Sequence, residues 1–388
     1  MKFTVNRPAF CEALKTVMNV GKSSLLTRIS GIYLYADASK RILELIGTDV
    51  ITSVVKRIRD ADISVGGEII LPPIVLEILK KTKEESVTIE TDENGALGLS
   101  FGSARYLLVT RPVNEFPKSE LVFPTAYVSV SGLLPLLKHA AFAADTKGDK
   151  RELQGVTLRL TPGISTAEAM NQKRMASAVN RNAADGETGM KLHISAVNIL
   201  FSLLSADKTV YAGTADQRAV FVCGDTVFST VMMNKTGPDM SSFVKRLVPE
   251  YCAVAGAKEL LSAIQTAAVC QLPGDDKCVN ICFTPMGIRL SCAAYKRSSS
   301  AFVATLCDSP TPDAGFNYDP RIIEDFLSLT TGNVSVKLDK KGFMLLESAD
   351  GVYLVTPRNA VSIVKPKAKP EKTEKVEKKP TKKTKKAA

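Results

Sequence analysis

Histidine is scarce in this chain: His139 and His193 are the only two, and they lie far apart. No His/Asp/Ser set, no H-E-x-x-H and no paired carboxylates at metal spacing occur, so the sequence offers no ready catalytic centre and no cofactor is expected. The acidic stretches "DDK" at 275–277 and "ED" at 324–325 read as turn and helix-surface charges. There is also no C-x-x-C pair among the eight cysteines, which argues against a zinc site. Five cysteines crowd into 270–307, but in "KCVNICF" the two sit at strand positions i and i+4, on one face, where a small apolar side chain fits. Packed free thiols are expected, without a disulfide framework. No apolar run reaches the about 18 residues of a membrane-spanning helix. The opening "MKFTVNRPAF" lacks an apolar signal core, so a cytoplasmic protein is the expectation.

A phosphate-binding loop is missing as well, although one stretch approaches it. "TVMNVGKSSL" at 16–25 ends in Gly21-Lys22-Ser23, but Thr16 stands where the pattern requires its first glycine. Such a loop follows a buried strand. Here Phe10, Ala13, Leu14, Val17 and Met18 precede it at helical spacing, so it leaves a helix and nucleotide hydrolysis is not expected.

What is present is a body of ordinary apolar content, 45% over 388 residues, long enough for two or three domains with their own cores. The net charge of +11 is unevenly spread. The segment 361–388 holds eleven lysines and three glutamates, leaving only +3 for residues 1–360. This Lys/Pro/Glu/Thr-rich tail cannot bury enough apolar surface to fold. It suits either weak, salt-dependent contact with a polyanion or a solubilising role.

The strongest signal is an internal repeat. Helix-like segments "EALKTVM", "PLLKHAA" and "ELLSAIQ" place Leu14, Leu137 and Leu261 in correspondence, at a spacing of about 124 residues. A second set, "VLEILKKT", "ILFSLLSA" and "IIEDFLSL", aligns Leu79, Leu203 and Phe326 at the same spacing. Strands fill the rest of each unit in the same order, closing with a hairpin marked by turn pairs such as Asn94-Gly95 and Asp350-Gly351. The fold class is therefore α+β, in three units, with boundaries expected near 122 and 250. Exposed sheet edges at each boundary can pair with the next unit, and closing a ring leaves no edge free.

In this order, "MKFTVNR" at 1–7, "LELIGTD" at 43–49, "GFNYDPRIIEDFL" at 315–327 and "YLVTP" at 353–357 resemble the bacterial sliding clamp family, the beta subunit of DNA polymerase III. "FGSARYLLVTRPVNEFP" at 101–117 is the nearest match, and the resemblance covers residues 1–360. It implies three tandem clamp-type domains, 1–121, 122–250 and 251–360, each with two helices packed on antiparallel sheets, followed by the disordered tail. Two chains would close head to tail as a homodimeric ring around double-stranded DNA. Helices would line the hole and sheets would form the rim. The implied function is that of a non-catalytic processivity factor that tethers the polymerase. Enclosure needs no base readout, only loose phosphate contact that permits sliding, and a mildly basic body suits it.

Candidate phosphate contacts on or near the inner helices are Arg7, Lys15, Lys22, Lys80, Lys81 and Lys83 in the first unit. Lys138, Lys147, Lys150 and Arg151 follow in the second, and Lys258 and Arg321 in the third, where Glu259, Glu324 and Asp325 offset them. The resemblance places Lys22 on the loop that dips toward DNA. It also implies an apolar pocket at the junction of the second and third units, where the polymerase catalytic subunit and the clamp loader dock a short linear motif. Carried over by position, the pocket comprises Leu153, Met170, Lys173, Arg174, Met175, Arg246, Leu247, Asn317, Pro320, Leu354, Val355, Thr356, Pro357 and Arg358. Here Asn171-Gln172-Lys173-Arg174-Met175 replaces the family's Asp-Gly-His-Arg-Leu, and Pro320 replaces its usual aromatic. The alternative reading is a scaffold that keeps the clamp fold but binds DNA non-topologically, through the tail.

Overall fold

The structure is a computed structural model that describes residues 1–358 apart from 22–30, 93–94, 118–121, 182–183, 207, 234–239, 273, 275–276, 295 and 309–313. Lys22 with its loop, Asn94 and the lysine-rich tail thus lie outside the described residues.

Three successive stretches repeat one order of elements: strand, helix, strands, helix, then three strands. The helices are α1 (Arg7–Gly21), α2 (Ile74–Lys80), α3 (Leu133–Ala141), α4 (Ile194–Leu203), a short α5 (Met240–Val244), α6 (Ala257–Ala268) and α7 (Pro320–Leu327). The closing part of each stretch is a three-strand meander, where the sequence suggested a single hairpin. A two-residue turn after each second strand adds the third: Phe101 faces Ala104, Cys223 faces Thr226 and Ser348 faces Gly351 across it.

Local chemistry explains the helices. In α1, Phe10, Ala13, Leu14, Val17 and Met18 are all buried, as their spacing requires. The Asn6 carboxamide oxygen accepts from the Ala9 amide at 3.1 Å, satisfying one of the open amides at that end. In α7 the Asp319 carboxylate caps the Arg321 amide, and Pro320 occupies the first turn, where no amide is needed. The marker leucines are less uniform than the repeat suggests. Leu14 and Leu137 are fully buried, whereas in α6 Leu260 and Ile264 carry that face and Leu261 is half-buried.

The stretches join through their sheets. Strand Thr226–Val231, last of the second stretch, pairs antiparallel with Thr52–Ile58 of the first, giving an eight-stranded sheet. Strand Gly351–Val355, last of the third, pairs the same way with Arg174–Asn180 of the second, giving a nine-stranded sheet. At the first junction the Thr52 and Thr230 hydroxyls lie 3.0 Å apart, both buried. A five-stranded sheet ends on Ala104–Leu108, and a four-stranded one ends on Arg297–Ala304.

The helices form a continuous row on one side of these sheets. Within each stretch they pack in pairs, α1 with α2, α3 with α4 and α6 with α7. Between stretches, α1 meets α4, where Asn19 donates to the Ser202 hydroxyl at 3.0 Å. The His139 ring of α3 bonds the Leu329 carbonyl just past α7 at 2.9 Å. The order along the row is therefore α2, α1, α4, α3, α7, α6.

His193 caps α4, its Nδ1 accepting from the Ser195 amide at 3.2 Å, which requires that nitrogen to be unprotonated. Burial lowers its pKa from the ordinary 6.5. A histidine disfavoured in its charged form adds stability above about 6.5 that is lost as pH falls through the lowered value. Thermal melts should therefore show stability falling between roughly pH 7 and pH 5. His193→Asn, which keeps a capping acceptor without a titration, should flatten that part of the profile.

Candidate nucleic-acid interface and junction pocket

The cation candidates divide when their surroundings are examined. Lys15, Lys80, Lys81, Lys83, Lys138, Lys147, Lys150, Arg151, Lys258 and Arg321 are all exposed on the helix row or the loops that follow it. Lys80 is held by Glu77 at 2.8 Å, an i,i+3 surface pair of small energetic weight. Arg321 folds back on Asp319 at 2.7 Å, which holds that carboxyl below its usual range. Arg7 has a structural duty: its guanidinium donates to the Leu79 and Glu84 carbonyls, closing the C-terminal end of α2. The strongest positive surface is thus on the first two stretches, with Lys15, Lys81, Lys83 and Lys138, and Lys147, Lys150 and Arg151 in the loop after α3. On the third, Glu259, Glu324 and Asp325 outweigh Lys258 and Arg321. There burial, with Asp325 and Asp319 adding to it, raises the Glu324 carboxyl above its ordinary value.

At the junction of the second and third stretches a separate apolar cluster forms. Met175, Leu345 and Leu354 are buried, and Met170, Val244, Leu247, Phe343 and Val352 pack against them. It unites Met170, Met175, Leu247 and Leu354 from the sequence-derived set and adds Val244, Phe343, Leu345 and Val352. The missed residues carry a readable signal, since Leu345 in the strand Met344–Ser348 follows Phe343 by two places, and Val352 and Leu354 alternate along the strand Gly351–Val355.

Arg174 and Val355 leave this pocket. They are cross-strand partners next to Met175 and Leu354, so the strand alternation sends them to the opposite face. There Arg174 pairs with Asp325 at 2.5 Å, donates to the Phe142 carbonyl and lies 5.4 Å above the Phe142 ring. Tyr353, stacked on Phe326 at 5.1 Å and bonded to the Ile322 carbonyl at 2.9 Å, completes an anchor that holds α7 against the second stretch. Pro320 is buried at the start of α7.

The pocket rim is made by backbone. The Thr356 amide and hydroxyl both donate to the Lys173 carbonyl, at 3.0 and 3.1 Å. The Arg358 amide donates to the Asn317 carbonyl at 2.7 Å, which brings Pro357 and Arg358 beside Asn317. Arg246 is exposed and Leu153 half-buried, both outside the apolar cluster. The described residues hold no group of three or more His, Cys, Asp or Glu placed to bind a metal.

Arg174→Ala should lower stability by roughly 1–3 kcal/mol, between the costs of breaking an exposed and a buried ion pair. Arg174→Lys should not restore it, because a single ammonium cannot serve Asp325 and the Phe142 carbonyl together. Urea denaturation of both variants checks this.

Residues 1–120 match the family model described as the DNA polymerase III beta subunit, N-terminal domain. The beta sliding clamp of Synechococcus elongatus is 24% identical over 347 residues, covering 85% of this chain and 91% of that one. That of Pseudomonas aeruginosa is 28% identical over 45% of this chain and 48% of its own length. Among solved structures, the DNA polymerase sliding clamp of Bacillus subtilis superposes with a TM-score of 0.85 at 18% identity, covering 92% of this chain and 99% of that chain. A putative beta subunit from Eubacterium rectale gives 0.86 at 17% identity, covering 93% and 100%. With the repeated strand-and-helix order, these matches show that the chain has the fold of the bacterial sliding clamps and that its first 120 residues match the DNA polymerase III beta subunit family.

Proposed function

We propose that two copies of this chain close head to tail into a ring that encircles duplex DNA and tethers a DNA polymerase to it. The chain is read as three domains, 1–121, 122–250 and 251–360, with the tail 361–388 as an accessory. The observation that carries ring closure is the fate of one aromatic position. Counting from the shared two-residue turn, Tyr106, Phe228 and Tyr353 occupy the same place in the last strand of each stretch. Phe228 and Tyr353 face the preceding domain's strand and are 1% and 0% exposed. Tyr106, whose strand ends its sheet, is 39% exposed, and Leu107 beside it is 72% exposed.

The repeat supports a specific mate for that strand. Val54 and Ala176 face Phe228 and Tyr353 at the two internal junctions. Their equivalent in the third domain, counted through the pairing of Cys292 with Ser299, is Ser299. The second copy would thus pair Tyr106 with Ser299, Ala104 with Ala301 and Leu107 with Ser298. Joining the five-stranded and four-stranded sheets this way makes nine strands, as at the second junction. The helix row extends by the same rule, α6 meeting α2 of the next copy.

Inside such a ring the exposed lysines of the first two domains would meet phosphates without reading bases. The cluster around Met175 and Leu354 would take the apolar side chains of a partner's linear motif, with the Asn317–Arg358 rim guiding its backbone. No hydrolytic step is involved.

Sedimentation and negative-stain imaging should show a two-chain ring for the native chain and a monomer for Leu107→Asp. Oxidation should cross-link Ala104→Cys to Ala301→Cys between chains, but not Ala104→Cys to Ser299→Cys. A stable native monomer, or cross-linking only in the shifted pair, contradicts the ring or its register. A fluorescent apolar peptide should bind native protein and lose roughly tenfold or more with Met175→Asp, the scale of a central interface residue. Equal binding to that variant contradicts the pocket assignment.

A further inference from the structure

The third domain gathers thiols where neither DNA contact nor partner docking needs them. Cys270 follows the C-terminal end of α6, half-buried, and its Sγ lies 3.8 Å from the carbonyl oxygen of Cys292 in the strand Gly287–Ala294. The two side chains are neighbours, close enough for each to shift the other's ionisation. Gln271 fixes the second thiol, its Nε2 lying 2.9 Å from the Cys292 Sγ and 2.5 Å from the Cys278 carbonyl. Ser299 pins α6 to the adjoining strand, its hydroxyl donating to the Ala267 carbonyl at 2.6 Å. Cys292 borders a cavity of about 520 Å³ that Cys278, Ser298 and Ser299 also line.

The two thiols differ in character. The Ser299 side chain, with Cys292 and then Arg297 adding to it, lowers the Cys270 thiol from its ordinary value, while burial raises Cys292. A half-exposed thiol with easier ionisation is the attacking member of a pair, and a buried thiol in contact with it is the resolving one.

We propose that Cys270 and Cys292 form a thiol–disulfide exchange site that reacts with small-molecule disulfides and closes to an intrachain disulfide. In the first step the Cys270 thiolate attacks one sulfur of the small disulfide, forming a mixed disulfide and releasing one small thiol. Cys292 then loses its proton and attacks the Cys270 sulfur, releasing the second small thiol. Two protein thiols are oxidised, one small disulfide is reduced to two thiols, and the two protons leave with them. The site ties the end of α6 to the strand beside Arg297–Ala304. It rests on these contacts. Because Ser299 is also proposed to pair with Tyr106 of a second copy, the exchange is measured on the Leu107→Asp chain as well as on the native chain, so either reading can fail alone.

The test is incubation of the full chain with oxidised glutathione, followed by alkylation and peptide mapping. A Cys270–Cys292 cross-linked peptide is expected in the native chain, in Leu107→Asp and in Cys278→Ser. It should be absent from Cys270→Ser and from Cys292→Ser, and the latter should accumulate a stable glutathione adduct on Cys270. Cys292→Ala, with circular dichroism as a check on folding, separates loss of the resolving thiol from loss of structure. The proposal is overturned if Cys270 stays fully alkylatable in the native chain. It is equally overturned if the native adduct persists as it does in Cys292→Ser, or if Cys270 links to Cys278 instead.

Discussion

Everything in this molecule depends on backbone pairing between the last strand of one domain and an inner strand of the domain before it. That contact appears twice within the chain, as Thr226–Val231 on Thr52–Ile58 and Gly351–Val355 on Arg174–Asn180. It does three things at once. It satisfies two rows of backbone donors and acceptors that would otherwise remain open to other chains. It buries an aromatic side chain at the same place each time. It also fixes the angle between domains through sheet register, which a flexible linker could not do.

The helix row follows from that constraint. Because each domain's helices pack on its own sheet, joining the sheets aligns the helices into one surface with cations on the first two domains. Those cations are exposed, which suits the loose contact with phosphates proposed above. The pocket follows as well. It lies on one face of the second sheet junction, while the opposite face of the same strands carries Arg174 and Tyr353 and anchors α7. The proposed docking pocket and the anchor between the second and third domains therefore share two strands and use opposite faces of them.

Much of this was legible in the sequence. The spacing of Phe10, Ala13, Leu14, Val17 and Met18 names the buried face of α1, and the spacing of about 124 residues reveals the tandem units. The turns that add a third strand to each meander are marked by Gly102-Ser103, Gly224-Asp225 and Asp350-Gly351, residues suited to tight turns, so the third strand was legible although a single hairpin was expected. Other features could not be read there. The resemblance points to short runs of neighbouring positions such as 173–175 and 354–358, but a strand turns neighbours to opposite faces, so Arg174 and Val355 lie outside the pocket while Phe343 and Leu345 belong to it. Arg7 looks like any helix-end cation, because the Leu79 and Glu84 carbonyls that occupy it arrive from more than 70 residues along the chain. Such pairings depend on topology and leave no local trace.

The central claim is enclosure of DNA, and retention on closed circular against linear duplex tests it most directly. Full-length chain, loaded onto nicked circular DNA and washed at high salt, should remain bound and should be released when the circle is cut once. Release at equal rates from the circle and the linear duplex, with binding lost as salt rises, would contradict enclosure. That result would leave charge alone, including the lysine tail, as the means of association.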